Sequence, residues 1–327
     1  MAEAVLSESL REFPPLIAKR RRGAFLHHAR TQSELLVMAL PVVVLLILFN
    51  YLPMFGLVIA FKRLQVALGI LRSPWVGFEN FRFFFTSPDA WRVTRNTVGM
   101  NFLFIATVNS SALILALAMN EVRKRSALKV FQTIYFLPYF LSWVVVGYML
   151  YAVLNRFGLL NSFLRTVFGA EPRRFYDTPG YWPVILTVVR IWKDIGYSSV
   201  VYYAGLMSID PVFYEAARID GARKFQEITR ISIPLISPLI AILIILAFGG
   251  VFRGDFGMFW HLPRLATNGI LKPTVDVIDT YVYNSLQVVG DIGIASAVNF
   301  YQAFVGLVLV IAVNRIVRAV SSEHSLY

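Results

Sequence analysis

Three charged residues, Arg190, Lys193 and Asp194, stand inside the otherwise apolar stretch "VVRIWKDIGY". A charge at the centre of a membrane helix costs ~2.5–3.5 kcal/mol on insertion scales, so each needs a partner or a function. Arg190 and Asp194 are four apart and share a helical face. They can neutralise one another, which is the simpler account, or face a water-filled path. Trp192 and Lys193 suit an outer interface, with the lysine snorkelling. Polar residues interrupt other apolar runs too: Asn101, Thr107 and Asn109 in one, and Ala295, Asn299, Gln302 and Gly306 at steps of +4, +3, +4 in another. Helix packing by small and polar residues explains the second face at least as well as a path does. Tyr135, Tyr139 and Trp143 add ring faces. Aromatic faces beside amides and charges are what sugar recognition needs. The candidate substrate path is therefore Asn101, Tyr135, Tyr139, Trp143, Arg190, Trp192, Lys193, Asp194, Asn299 and Gln302.

Nothing points to bond-making chemistry. The chain has no G-x-x-x-x-G-K-[ST] run and no dinucleotide fingerprint. Its four histidines are His27, His28, His261 and His324, and the adjacent pair lacks the i,i+4 spacing of a helical metal site. Zero cysteines exclude disulfides and thiolate-bound metals. No catalytic residue, metal or cofactor is expected, so energy for any vectorial process must come from another chain or an ion gradient.

The elements that hold these residues are membrane helices. Of 327 residues, 57% are hydrophobic and only 15% charged, so the core of the protein is a bilayer-embedded bundle. Six spans are expected: 35–60, 98–119, 130–154, 182–207, 234–252 and 294–317. The first is too long for a cleaved leader and lacks a small-residue cleavage pattern. Pro41, Pro53 and Pro138 predict kinks rather than ends, since neighbouring helices can re-satisfy freed carbonyls. Net charge is +12. "KRRR" at Lys19–Arg22 reads as an anchor on anionic lipid headgroups rather than a nucleic-acid arm. Sixteen Lys/Arg fall on the candidate inner side against thirteen opposite. That bias is modest in number but concentrated at the membrane ends, which puts both termini inside. The segment 62–95, with Phe81 and Phe83–Phe85, reads as an interfacial helix or a packed outer lid; 253–293 reads as an outer loop with a short helix. A basic head, 1–34, precedes a single transmembrane domain, 35–327.

One polar insert is more ordered than a connector requires. In "YEAARIDGARKFQEITRISIP", Asp210 is placed to cap a helix that begins at Pro211, and Gly221 to end it. Arg223 and Glu227, four apart, can pair weakly. Apolar Val212, Phe213, Ala216, Ala217, Phe225 and Ile228 are available to meet another protein. Many membrane proteins carry amphipathic loop helices that only lie on headgroups.

The spacing Glu215-Ala216-Ala217, three residues, Gly221, nine residues, Ile231-Ser232-Ile233-Pro234 resembles the "EAA" loop of permease subunits of binding-protein-dependent ABC importers. Ile233 stands where that pattern usually has leucine. "IWKDIGY", "SPWVGFENF" and "VIDTYVYNSL" are similar to the maltose-permease-like group that takes up oligosaccharides and polysaccharides. The resemblance covers the chain from about Leu35 onward. It implies an all-α, type I importer permease with six transmembrane helices and a cytoplasmic coupling helix within about 208–233, in the bacterial inner membrane. It further implies a second permease, two ATP-binding cassette ATPases that bind ATP and Mg, and an outer solute-binding protein. Phe213, Glu215, Ala216, Ala217, Gly221, Ile231 and Pro234 would be the ATPase-coupling residues.

Thirteen outward Lys/Arg are many for a chain obeying the positive-inside rule. Arg92, Arg173, Arg174 and Arg253 can steer an acidic substrate, such as alginate, or acidic patches on a binding protein; a neutral oligosaccharide is equally compatible. Two other classes compete: an ion-coupled secondary transporter, which would not need the elbow, and a membrane scaffold that transports nothing.

Overall fold

The computed structural model describes residues 33–122 and 124–320, with side chains over 37–315 apart from 123. The Lys19–Arg22 cluster, His27, His28 and His324 lie outside the described residues. Apart from an isolated bridge between Lys62 and Trp75, the described regular structure is helical.

The chain divides into two units, Met1–Gly56 and Leu57–Tyr327. In the first, α1 (Ser33–Leu46) contains Pro41 and continues through a π-helical turn, Ile47–Tyr51, into Leu52–Met54 with Pro53. Neither proline ends the helix. The hydrogen-bond ladder widens to π before Pro53 and tightens to 3-10 over Phe55–Phe61, adjustments that re-satisfy backbone freed by proline. Its described side chains are exposed and almost all apolar, as a lipid-facing helix requires.

The second unit holds α2 (Glu79–Thr86), α3 (Pro88–Asn120), α4 (Arg125–Phe136), α5 (Trp143–Leu154) and α6 (Leu159–Phe168). After these come α7 (Trp182–Met207), α8 (Pro211–Ile219), α9 (Ser237–Gly249), α10 (Phe256–His261), α11 (Ile278–Asn284) and α12 (Ile292–Val320). Two long helices, α3 and α7, form the most extensive pairing. Ala112 and Ala116 let α7 approach α3, where Tyr202, Leu206 and Ile236 complete a buried cluster. A second core joins Met100 and Phe104 of α3, Val146 of α5, Leu186 of α7 and Phe259 of α10. A third packs Phe84 of α2 and Val93 of α3 against Ile278 of α11 and Val298 of α12. Within 62–95, Phe84 is buried against the bundle while Phe83 and Phe85 are exposed; Phe61 and Phe81 touch each other and both Phe78 and Phe300.

Among the described residues four helices are long and apolar enough to cross a membrane: Val37–Phe61, Pro88–Asn120, Trp143–Phe168 and Ile292–Arg315. A fifth crossing results if the pair Lys224–Leu235 and Ser237–Gly249, bent by 61°, is one span. The expected span at 234–252 is thus short at its core: α9 has 13 residues, ~20 Å against ~30 Å of hydrocarbon. The helix starts upstream and bends at Ile236, between Pro234 and Pro238.

Pro138 gives a break, not the expected kink. α4 stops at Phe136, a 3-10 turn covers Leu137–Phe140, and Leu141 is extended (φ −72°, ψ 133°). Ser142 then caps α5 by accepting the Val145 N–H (3.4 Å). Such a break is tolerable only where its carbonyls find donors. The Lys193 ammonium supplies them, donating to Tyr139 O and Leu141 O (both 2.7 Å) and to Pro138 O (3.4 Å). It is therefore buried, at 7% exposure, rather than snorkelling. Gly196, one turn on, lies where any Cβ would collide with the Tyr135 carbonyl, so only glycine lets the end of α4 sit against α7. Lys193→Met should leave those three carbonyls without a donor and destabilise the protein by on the order of 2–3 kcal/mol; a melting temperature that stays at the wild-type value in detergent would refute this.

Candidate functional site

A cavity of about 510 Å³ lies between α3, α7 and α9 and reaches the turn that follows α9. Its polar groups include Asn101 and Asn109 from α3, Arg190, Asp194, Tyr197 and Tyr202 from α7, and Arg253 and Asp255 after α9. Arg190 is the centre. Its Nε pairs with Asp194 Oδ2 (2.5 Å), the i,i+4 partner expected from spacing, and its Nη1 pairs with Asp255 Oδ2 (2.7 Å). Trp143 Nε1 donates to the same Asp255 oxygen (2.8 Å), and the Arg190 guanidinium lies 5.9 Å from the Trp143 and Phe104 ring centres. Asp255 also caps α10 by accepting the Met258 N–H (3.3 Å). Deeper in, Tyr202 Oη donates to Asn109 Oδ1 (3.0 Å) and closes the α3–α7 wall.

By formal charge the cavity lining balances, with two arginines against two aspartates, but the pairing is uneven. Arg190 serves both carboxylates, while Arg253, on the wall and exposed, forms no ion pair among the described residues. Arg92, by contrast, is occupied by Asp89 (2.7 Å) and Asp276 (3.0 Å) and is not a free steering charge. Arg173 and Arg174 are exposed.

The structure sorts the expected path residues into two groups. Asn101, Arg190 and Asp194 line the cavity. Tyr139 stacks on the cavity residue Tyr197 at 4.6 Å, and Trp143 reaches the cavity through Asp255. Tyr135, Trp192 and Asn299 are exposed away from it, and Lys193 is taken up by the Pro138 break. Gln302 is buried and serves the fold instead, its Nε2 donating to Phe252 O (2.6 Å) and to Asp279 Oδ2 (3.0 Å). Asn101 acts similarly, donating to Val251 O (2.9 Å) and Arg253 O (3.0 Å). These two amides satisfy the unwound end of α9. Asp279 accepts the Gly254 N–H (2.6 Å) there. Burial pushes its carboxyl up, against the downward pull of the Gly254 and Gln302 hydrogen bonds.

A second feature is the elbow. Asp210 accepts the Val212 N–H (3.0 Å), Pro211 opens α8, and Gly221 ends it at φ +79°. Phe213, Glu215 and Ala216 of α8 are exposed, as are Gly221 and Pro234; Ala217 and Ile231 are half-buried. The expected Arg223–Glu227 pair does not form. Arg223 is extended ahead of the short helix Lys224–Glu227, so the two are not on one helical face. Glu227 instead points inward and binds Arg218 Nε and Lys224 Nζ (both 3.0 Å). Lys224 also reaches Glu121 at the end of α3 (3.1 Å), and Tyr214 Oη meets Ser232 Oγ (3.0 Å). The polar side of the elbow is clamped to the bundle, while Val212, Phe213, Ile219 and Phe225 are 53–87% exposed.

Residues 110–322 match the family model described as "Binding-protein-dependent transport system inner membrane component". The chain is 34% identical over 308 residues to the polygalacturonan/rhamnogalacturonan transport system permease protein YteP of Bacillus subtilis (strain 168), covering 94% of this chain and 95% of that protein. Its fold is similar to a chain of a bacterial ABC transporter involved in import of the acidic polysaccharide alginate, with TM-score 0.83, 32% identity, and 91% and 99% of the two chains covered. A second alginate transporter structure, in complex with an alginate pentasaccharide-bound periplasmic protein, matches with TM-score 0.82 and 32% identity over 90% of this chain and 97% of that one.

Removing Arg190 should strand two carboxylates at once. Arg190→Met is expected to destabilise the protein by on the order of 2–4 kcal/mol, with much of that recovered in the triple variant that also carries Asp194→Asn and Asp255→Asn. Thermal unfolding of the two variants in one detergent checks this; equal losses would show that the three charges do not act as a unit.

Proposed function

Since the chain belongs to the family of binding-protein-dependent transport system inner membrane components, and so is the permease subunit of an ABC importer, we propose that it forms one half of a pore for an acidic polysaccharide or its oligosaccharides. The observation that carries the coupling part is the elbow: a capped, glycine-ended helix with its polar side clamped to α3 and its apolar side without a partner among the described residues. A short rigid helix of that kind transmits a push from a partner without unfolding. The partner is an ATP-binding cassette ATPase that holds ATP and Mg, with Phe213, Glu215, Ala216, Ala217, Gly221, Ile231 and Pro234 at or beside the contact. A second permease, a second ATPase, an outer solute-binding protein and the lipid bilayer complete the assembly.

Six crossings fit this reading. Four helices qualify outright and the bent pair adds one. α7, 26 residues long, is the sixth: its three charges are satisfied inside the protein, Arg190 and Asp194 by ion pairs and Lys193 by carbonyls. Six crossings put both termini on one side, and the Lys/Arg bias makes that side the cytoplasm. The basic head 1–34 is then cytoplasmic, and 35–327 is one permease domain with its coupling loop at about 208–233.

The substrate reading rests on the exposed Arg253 of the cavity wall, which makes no salt bridge among the described residues, and on relatives named for polygalacturonan, rhamnogalacturonan and alginate. Sugar rings would meet Tyr197 and Phe104, and carboxylates Arg253.

The elbow and the substrate are tested separately. A Cβ at Gly221 would meet no atom within 4 Å, so the main cost of Gly221→Val is the left-handed backbone, ~1–2 kcal/mol. It should insert and assemble normally yet lose most ATP-coupled uptake; unimpaired transport at matched membrane levels would reject the elbow. For the substrate, ATPase activity of the reconstituted complex with its binding protein should rise with oligogalacturonate or oligoalginate. It should rise far less with the same sugars reduced to neutral form, and Arg253→Gln should narrow the difference. Equal stimulation by both forms in the wild type would reject an acidic substrate.

A further inference from the structure

Two smaller cavities stand apart from the one between α3, α7 and α9, and they share a wall. The first, about 230 Å³, is lined by Tyr148, Tyr151, Trp260, His261 and Arg264. The second, about 250 Å³, is lined by Tyr151, Arg156, Arg174 and Tyr176. Tyr151 belongs to both. The two flank Tyr151, and each is a little below the ~300–1,000 Å³ typical of drug-sized ligand sites, so each would hold one unit of a longer chain.

Arg264 is the feature that packing does not explain. Among the described residues it is the one non-glycine residue with positive φ, +58°. Glycine or asparagine would suit that backbone better, so something about the arginine side chain offsets the strain. Its guanidinium lies 4.3 Å from the Tyr151 ring centre, and its N–H groups donate to no protein acceptor among the described residues. Arg156 and Arg174 are likewise exposed and make no ion pair among the described residues; the one acid on the walls is Asp177.

The walls are held in place. Asn161 binds Arg173 through both N–H and carbonyl (2.9 Å each), Trp182 Nε1 donates to Phe175 O (2.9 Å), and Asn268 Nδ2 donates to Tyr176 O (2.8 Å). Trp260 packs on Phe256 and Tyr283. Helix α10 runs from Asp255 in the large cavity to Trp260 and His261 here, six residues or ~9 Å. Rigid aromatic faces, three free guanidinium groups and a short link to the central cavity stand in one place.

We propose that this double cavity is an entry subsite for a uronate-bearing chain. Arg264 takes one carboxylate, Arg156 or Arg174 takes that of a neighbouring sugar, and ring faces rest on Tyr148, Tyr151 and Trp260. The subsite rests on the acidic-sugar reading given above. It places the sugar at one end of α10 before its other end, at Asp255, admits it to the central cavity.

The test uses the whole importer in lipid vesicles with its ATPases and loaded binding protein, comparing oligogalacturonate with the same oligosaccharide reduced to neutral form. Arg264→Asn relieves the backbone strain, so the complex should assemble and melt no lower than wild type. Its uptake of oligogalacturonate should fall about tenfold, the loss of one charged hydrogen-bonded contact, with neutral uptake unchanged. Arg156→Gln/Arg174→Gln should act in the same direction. Equal losses for both sugars, unchanged acidic uptake, or weakened association with the binding protein would each overturn the subsite. A wild-type importer that carries only the neutral sugar would overturn the acidic-substrate reading itself. The wild type alone reveals that failure, whereas failure of the subsite alone appears only in the variants.

Discussion

The arrangement of this protein depends on how it satisfies backbone carbonyls where its helices break. In hydrocarbon an unpaired peptide group costs several kcal/mol, so non-helical backbone survives only against donors from the protein. Two breaks in the second unit have dedicated side-chain donors. At Pro138 the donor is the Lys193 ammonium, and at the end of α9 the donors are the amides of Asn101 and Gln302. The first break fixes where α5 begins. That start places Trp143 so that its indole reaches Asp255, and Asp255 both caps α10 and completes the pairing of Arg190. The cavity's charge arrangement is thus a downstream consequence of a proline and the lysine that answers it.

The same requirement explains why so many polar residues inside apolar helices are not substrate ligands. Thr107 and Thr187 return their hydroxyls to the preceding turn of their own helices, and Gln302 spends its amide on Phe252 and Asp279. What is left over after this internal use is small and informative. Around the large cavity it is Arg253, and at the elbow it is an exposed apolar strip. A buried polar group with all its partners supplied by the fold has little left to offer a ligand. A guanidinium on a cavity wall that makes no salt bridge still has N–H groups to offer.

Legibility from the sequence followed the range of the interactions. The elbow was readable because Asp210, Pro211 and Gly221 act within one short helix, where capping and left-handed backbone are properties of adjacent residues. Arg190 with Asp194 was readable for the same reason, being one helical turn apart. Asp255 was not, because the partners that tie it to the cavity lie 65 and 112 positions away, and its local bond to the Met258 N–H marks only a helix cap. Lys193 read as a snorkelling residue because its spacing gives no hint of a broken helix 52–55 positions earlier. The Arg223–Glu227 expectation failed on one local detail, the extended backbone at Arg223, which removed the helical face that the spacing presumes.

The elbow and the cavity are mechanically one object. α3 is 33 residues long and contributes Asn101, Phe104 and Asn109 to the cavity wall, while Glu121, immediately after it, grips Lys224 of the elbow. α7 contributes Arg190, Asp194 and Tyr202 to the facing wall and leads directly into Asp210. Between these ends Ala112 and Ala116 hold the two helices at close approach, and the Tyr202–Asn109 hydrogen bond fixes their register. Sliding α3 past α7 would cost that bond and the close packing. A displacement of α8 would therefore be met more easily by tilting the pair as a body or by bending the chain where it is already bent. The break at Ile236, where the backbone already turns by 61°, is such a place, and it lies between the elbow and α9, the cavity's remaining wall. Motion at the elbow would thus change the distance between α9 and the α3–α7 pair, which is the width of the cavity itself.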